Sequence, residues 1–326
     1  MSLPTALTEM FGIDHPIVLA PMGGVAGGAL TAAVSEGGGL GMIGAGRGGL
    51  GWLARECGVA RAATSRPWGI GFLTWAIGSE AVEAAIEQSP AAIMLSFGDP
   101  APFAETIRAA GIPLMVQVTT LDEARRALDV GANVVVAQGT EAGGHGGGRA
   151  TLPFVPAVVD IADTTPVLAA GGIADGRGLA ATLMLGAAGA MIGTRFEATP
   201  EALIDPEEAK AITAAEAADT IRGRVLDIAT EAGWPERYTA RTLRNGFTDT
   251  WEGRESALTS DQGALAEFRA AAERGDREYL PIWAGEAVDL ITELDSATAL
   301  VARIAEQAER AITATGNTVR GRGVRH

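Results

Sequence analysis

The chain has 326 residues, 47% of them hydrophobic and 20% charged, which is enough apolar matter for one large or two ordinary domains and too much for a disordered chain. Lys+Arg number 25 against Asp+Glu 40, a net charge of −15 in which Lys210 is the single lysine; that balance argues against a nucleic-acid backbone or an anionic membrane surface as partner. The lone Cys57 excludes a disulfide framework and a cysteine zinc cluster, and suits a reducing cytosol.

No cationic region precedes an apolar core at the start of the chain, so no secretory signal is read and a cytoplasmic location is expected. The longest uncharged stretch, residues 16–35, is nominally long enough for a bilayer. It is broken by Pro16, Pro21, Gly23, Gly24, Gly27 and Gly28 and reads as strand, turn and helix. Short apolar runs then recur at residues 17–20, 40–43, 69–72, 92–96, 114–118, 133–137, 167–170 and 190–193. Their starts lie roughly 20 to 34 residues apart, too far for hairpins and right for strand–helix–strand crossovers. Residues 79–88, 101–110, 121–130 and 176–185 show helical periodicity between them. Continuous rather than alternating apolar runs belong to strands covered on both faces. Eight such units in about 180 residues predict an α/β fold, a (β/α)8 TIM barrel in preference to an open doubly wound sheet.

After Arg195 the composition changes. Residues 200–284 are rich in charge and helix formers, with no buried-strand run, and predict a smaller, mainly helical second domain inserted after strand eight and packed over the barrel mouth. Residues 286–312, apolar on one face, would return as the closing helical segment, and the Gly- and Arg-rich tail 313–326 would fray. The expected division is thus 1–199 plus 285–326 for the barrel and 200–284 for the lid.

In a barrel, chemistry sits at the C-terminal ends of the strands. The 44 glycines, about twice the usual ~7% share, gather there. Pro21-Met22-Gly23-Gly24 follows the first strand and Gly44-Ala45-Gly46 the second. Gln117 ends the fifth, and Gln138 opens a Gly-rich run through Gly148 after the sixth. Gly171-Gly172-Ile173 and Gly193-Thr194-Arg195-Phe196 follow the seventh and eighth. The last two are the positions at which barrels bind phosphate. Glycine lets backbone N–H groups close on the anion and Thr194 adds a hydroxyl, although turn glycines would look the same. His145 stands among glycines without apolar partners in the sequence. It suits acid–base work or anion binding near neutral pH, with a structural loop histidine as the plain alternative. Glu141 is read as a brace for that loop in preference to a partner that orients the ring. Pro21-Met22 is either a surface for a flat aromatic ring or a simple strand-to-helix turn. No His/Cys/carboxylate spacing suggests a metal site.

Together these motifs resemble the nitronate monooxygenase family, formerly called 2-nitropropane dioxygenases. The resemblance runs through residues 7–17, Ala20-Pro21-Met22-Gly23-Gly24, residues 137–145, residues 169–178 and residues 192–196. It implies an FMN-dependent TIM-barrel oxidoreductase that converts an alkyl nitronate and O2 to a carbonyl compound and nitrite, with His145 as the catalytic residue. It further implies that Gly171, Gly172, Gly193 and Thr194 hold the FMN phosphate and that Ala20, Pro21 and Met22 line the isoalloxazine. Gln117, Gln138, Gly139, Ala142, Gly143 and Gly144 would surround the ring and ribityl chain. Some relatives carry Lys where Gln117 stands. A neutral donor there implies a lower flavin potential and favours nitronate oxidation over reduction by NAD(P)H. The same motifs occur in flavin-dependent enoyl-acyl-carrier-protein reductases and NAD(P)H:quinone reductases, the alternative reading. A non-catalytic flavin-binding sensor barrel is the alternative of another class. The expected partners are a small nitronate and O2, with no nucleic acid and no membrane, and a homodimer left open.

Overall fold

In a computed structural model of the chain, residues 3–276 and 278–321 are described, with side chains through residue 314. All eight apolar runs are strands. They are β1 (Ile17–Leu19), β2 (Gly41–Gly46), β3 (Trp68–Leu73), β4 (Ala92–Ser96), β5 (Leu114–Val118), β6 (Val134–Gln138), β8 (Val167–Ala170) and β9 (Gly189–Ile192). β7 (Gly144–Gly146) is a short strand in the loop after β6. The eight pair in parallel in the order β1-β9-β8-β6-β5-β4-β3-β2. A parallel bridge between Val18 and Leu40 joins the two ends, so the sheet closes into a TIM barrel. Side chains such as Leu19, Ile43, Ile93 and Val135 are fully buried, each contributing about 1.5–3 kcal/mol.

The crossover helices fall where periodicity placed them. Helix Leu121–Asp129 starts at Thr120, whose hydroxyl accepts from Glu123 N. Helix Gly176–Met184 starts at Asp175, whose carboxylate accepts from Arg177 N and Gly178 N. Both satisfy orphan N–H groups of a first turn. The uncharged stretch 16–35 resolves into β1, a turn and helix Gly28–Glu36. Among the described residues no helix is long and apolar enough to cross a membrane.

The returning segment differs from expectation. Residues Glu286–Leu290 form a single tight 3-10 turn, and helix Ala297–Gly321 begins only after Ser296, whose hydroxyl accepts from Ala299 N. That helix supplies the last barrel helix: Thr298 donates to Ala33 O of helix Gly28–Glu36, and Gln307 accepts from Gly176 N. Residues 313–321, expected to fray, continue it. The remainder of the predicted tail, 322–326, lies outside the described residues.

The segment after β9 contains helices, among them Val225–Ala229, Gly246–Trp251 and Gln262–Glu273, around a small core of Val225, Leu226, Phe247, Trp251, Leu258 and Phe268. It also contains two strands that the sequence did not reveal, β10 (Thr220–Gly223) and β11 (Thr239–Leu243). These join β7 in an antiparallel sheet of order β10-β11-β7. Neither is an apolar run, because both are fastened by arginine side chains rather than by burial on two faces.

Candidate active site

A cavity of about 280 Å³ opens at the C-terminal ends of the barrel strands. Every residue predicted for the site lines it except Gly139. Gly139 instead makes room for its neighbour, since a Cβ there would lie 1.9 Å from Thr151 Oγ1. Thr151 needs that room. Its hydroxyl and its N–H both meet the Glu141 carboxylate, at 2.7 and 3.0 Å, and the hydroxyl also lies 3.1 Å from Gly171 O. Glu141 is therefore the expected brace, tying the loop after β6 to the loop after β8.

At one end of the cavity Gly171 and Gly172 have φ of +102° and +73°, a backbone that a side chain would strain. Thr194 accepts from Gly285 N at 3.0 Å, which connects this end to the returning segment. Beyond it lies Glu197, which lines the cavity and is 4% exposed. Burial, reinforced by the charge of Glu208, pushes its carboxyl up to about 8. Arg195 is buried beside it and faces Asp295 at 3.4 Å; desolvation lowers its pKa from the ordinary value.

At the other end stands His145. Its backbone is held by pairing with Ala240 of β11, and its carbonyl accepts from Gln138 Nε2 at 2.9 Å. The opposite Gln138 amide atom, Oε1, is buried without a partner. The ring is not free of apolar neighbours, as its sequence context suggested. It stacks on Trp234 with centroids 3.5 Å apart and planes 8° apart, and Trp283 lies at 5.4 Å. Its Nε2 is 2.8 Å from Asp227 Oδ1, with both side chains less than a tenth exposed. Trp234, Trp283 and Asp227 all come from the inserted segment, 82 positions away in the case of Asp227. The tryptophans were visible in the sequence but could not be placed. Asp227 gave no signal.

Two further residues hold the loop. Arg222 of β10 donates to Thr140 O, Ala142 O and Thr239 O at 2.9, 2.8 and 2.6 Å. Burial and the neighbouring Arg241 push its pKa down to about 10. Arg241 of β11 donates to Thr140 O at 3.1 Å and pairs with Glu286 at 2.6 Å. Over the mouth, Arg47 lies on the Trp75 ring and donates to Ala232 O, and Trp75 in turn packs on Trp234 at 5.2 Å. Cys57 plays no part in the site. It is buried, and desolvation pushes its thiol up to about 11.

The chain has known relatives. The family model for nitronate monooxygenase matches residues 4–307. The chain is 34% identical over 270 residues to the "(3aS,4S,5R,7aS)-5-hydroxy-7a-methyl-1-oxo-octahydro-1H-indene-4-carboxyl-CoA dehydrogenase" of Rhodococcus jostii, covering 82% of this chain and 74% of that protein. Among solved structures, FabK from Thermotoga maritima matches with a TM-score of 0.85 at 29% identity, over 98% of this chain and 99% of that one. A nitroalkane oxidase from Streptomyces ansochromogenes matches with a TM-score of 0.81 at 30% identity, over 95% and 100%. The chain belongs to the nitronate monooxygenase family, a family of flavoproteins, and is a flavin-dependent oxidoreductase.

Proposed function

We propose that this chain oxidises alkyl nitronates with O2 to carbonyl compounds and nitrite, and that FMN is its flavin. The observation that carries the reading is His145, oriented by Asp227 and Trp234 at one end of a cavity whose other end is built from glycine backbone and a threonine hydroxyl. The donor set fits FMN. The left-handed pair Gly171-Gly172 presents main chain with no Cβ, and a single phosphate suits backbone N–H groups with one hydroxyl. Gln138 Oε1 is a buried acceptor in want of a donor, and the edge of a flavin ring offers N–H groups.

On this reading Gly171, Gly172, Gly193 and Thr194 hold the phosphate, and Ala20, Pro21 and Met22 line the ring. Gln117, Gln138, Ala142, Gly143 and Gly144 surround the ring and ribityl chain, and Gly139 acts by admitting Thr151. When bound, FMN supplies the electron-accepting and O2-reactive chemistry. The protein supplies the rest. His145 binds the nitro oxygens or takes the α-proton of a neutral nitroalkane, while Trp234 and Trp283 keep bulk water from its ring. Residues 200–284 serve as the lid that brings these groups to the barrel.

Aerobic mixing of the flavin-loaded protein with a nitronate is expected to release nitrite. A second reading is a flavin-dependent reductase acting on a quinone or an enoyl thioester; the Rhodococcus jostii relative bears only on its thioester arm, since its name is that of a dehydrogenase of a carboxyl-CoA compound. No nitrite, with NAD(P)H oxidation dependent on a quinone or an enoyl thioester, would move the assignment there. Neither activity would leave a flavin-binding sensor.

A further inference from the structure

We infer that Asp227 is a positioning residue for His145, holding the neutral imidazole as its Nε2–H tautomer so that Nδ1 carries the lone pair. The inference rests on the reading above that His145 meets the substrate, but the tautomer it names does not depend on which substrate that is.

The contact between the two residues is short and dry. His145 Nε2 and Asp227 Oδ1 are 2.8 Å apart, at side-chain exposures of 8% and 6%. Asp227 Oδ2 is buried with no partner. A buried carboxylate with one satisfied oxygen is expensive and calls for a reason. Stability of the local helix is not that reason. Val225–Ala229 is fastened by Val225, Leu226 and Ala229, which are buried in the small core of the inserted segment, and its Asp227 side chain points out of that core to the ring.

Every degree of freedom of the ring is set from the same segment. Pairing of His145 with Ala240 fixes its Cα. The stack on Trp234, 3.5 Å and 8°, fixes its plane. Neither contact distinguishes the ring from its 180° flip. Only Asp227 does, because the flip would replace the Nε2 contact with a carbon. A carboxylate accepts and does not donate, so the nitrogen facing it must carry the proton. In a neutral ring Nδ1 is then left as a proton acceptor, and the ring lines the cavity. When Nδ1 takes up a proton the ring becomes an imidazolium, and the carboxylate 2.8 Å away balances the new charge.

The chain has three histidines, so ring-15N-histidine labelling gives a spectrum simple enough to read. His15, ahead of β1, and His326 are assigned by the signals lost in His15→Gln and His326→Gln. In the FMN-loaded wild type near neutral pH, His145 is expected to show a protonated Nε2 and an unprotonated Nδ1. An Nδ1–H tautomer, or a ring protonated at both nitrogens, would overturn the inference whether or not any variant folds. Asp227→Asn offers an amide N–H to Nε2. It should shift the proton toward Nδ1 and lower kcat on the order of 10²-fold, the low end for a proton-transfer group, with KM little changed. Asp227→Glu, which keeps the acceptor, should recover part of the loss and the original tautomer. If Asp227→Asn keeps both tautomer and kcat, Asp227 does not position the ring. A wild type with the expected tautomer but no nitrite from any nitronate would sink the proposed function and leave this inference standing.

Discussion

His145 is held by a carboxylate edge-on and an indole face-on, so its ring can be removed without removing what holds the loop, which is the work of Arg222 and Glu141. His145→Ala should therefore keep bound flavin and melting temperature while turnover falls about 10²–10⁴-fold, as expected for loss of an acid–base group. Loss of flavin with a normal rate per bound flavin would make the residue structural. Its place in the cavity wall was legible because it stands among glycines after the end of an apolar run. Its partner was not, since Val225-Leu226-Asp227-Ile228-Ala229 reads as an ordinary amphipathic turn far along the chain. Gln117, also in the cavity wall, donates at most a neutral hydrogen bond to a reduced flavin. Gln117→Lys should raise the potential of the bound flavin, measured by anaerobic dye equilibration; an unchanged potential would show that Gln117 faces elsewhere. Glu197 gives a pH dependence whose sign is fixed. Its folded pKa of about 8 lies above the ordinary carboxyl value of 4.5, so the folded state holds the proton more tightly. The stability it permits is full below pH 4.5 and is lost as pH rises through 8, on the order of a few kcal/mol. Glu197→Gln should flatten melting temperature against pH between 5 and 9. Equal slopes for wild type and variant would mean that the carboxyl is not desolvated in solution.

The loop after β6 is ordered by strands rather than by its own sequence. Residues 139–148 are mostly glycine, with maximal backbone entropy to lose. What confines them is β7 pairing with β11 and two arginines aimed at Thr140 O and Ala142 O. The barrel strands were legible because burial on both faces leaves a run such as Val134-Val135-Val136. β11, reading Thr239-Ala240-Arg241-Thr242-Leu243, was hidden for the opposite reason. Its binding partner lies about a hundred residues earlier in a Gly-rich stretch, and its arginine, which looks solvent-facing in sequence, is buried against Thr140 O and the Glu286 carboxylate. Arg222→Leu should strand Ala142 O and Thr239 O, at about 1–3 kcal/mol for each acceptor left unpaired. Hydrogen exchange at residues 140–146 is expected to accelerate ahead of global unfolding. Protection as strong as in the wild type would show that Arg241 and the β7–β11 pairing suffice.

Taken whole, the molecule is a barrel that supplies the floor of the cavity and a segment that supplies the walls around His145, and the two differ in how they announce themselves. The floor repeats a unit, so periodicity finds it; the walls come from single side chains of an irregular segment, so composition registers Trp234 and Trp283 without placing them. On the proposed reading, the end of the cavity at Gly171, Gly172 and Thr194 decides which flavin the protein takes. Behind it lie Arg195, engaged with Asp295, and the buried carboxyl of Glu197. A second phosphate would need further donors there and would instead meet a group that becomes an anion as pH rises. A dinucleotide-type Gly-x-Gly-x-x-Gly spacing does occur, at residues 44–49. Gly44 and Gly46 are paired within β2, the helix starts only at Leu50, and Arg47 is engaged with Trp75 and Ala232 O. Gly44 and Gly46 are thus spent inside a strand rather than in the tight turn that the dinucleotide fingerprint makes of its first glycines. The purified protein is accordingly expected to be yellow, and heat should release a flavin whose mass is that of FMN. Release of FAD, or failure to take up FMN on reconstitution, would refute the assignment of these two loops to a single phosphate.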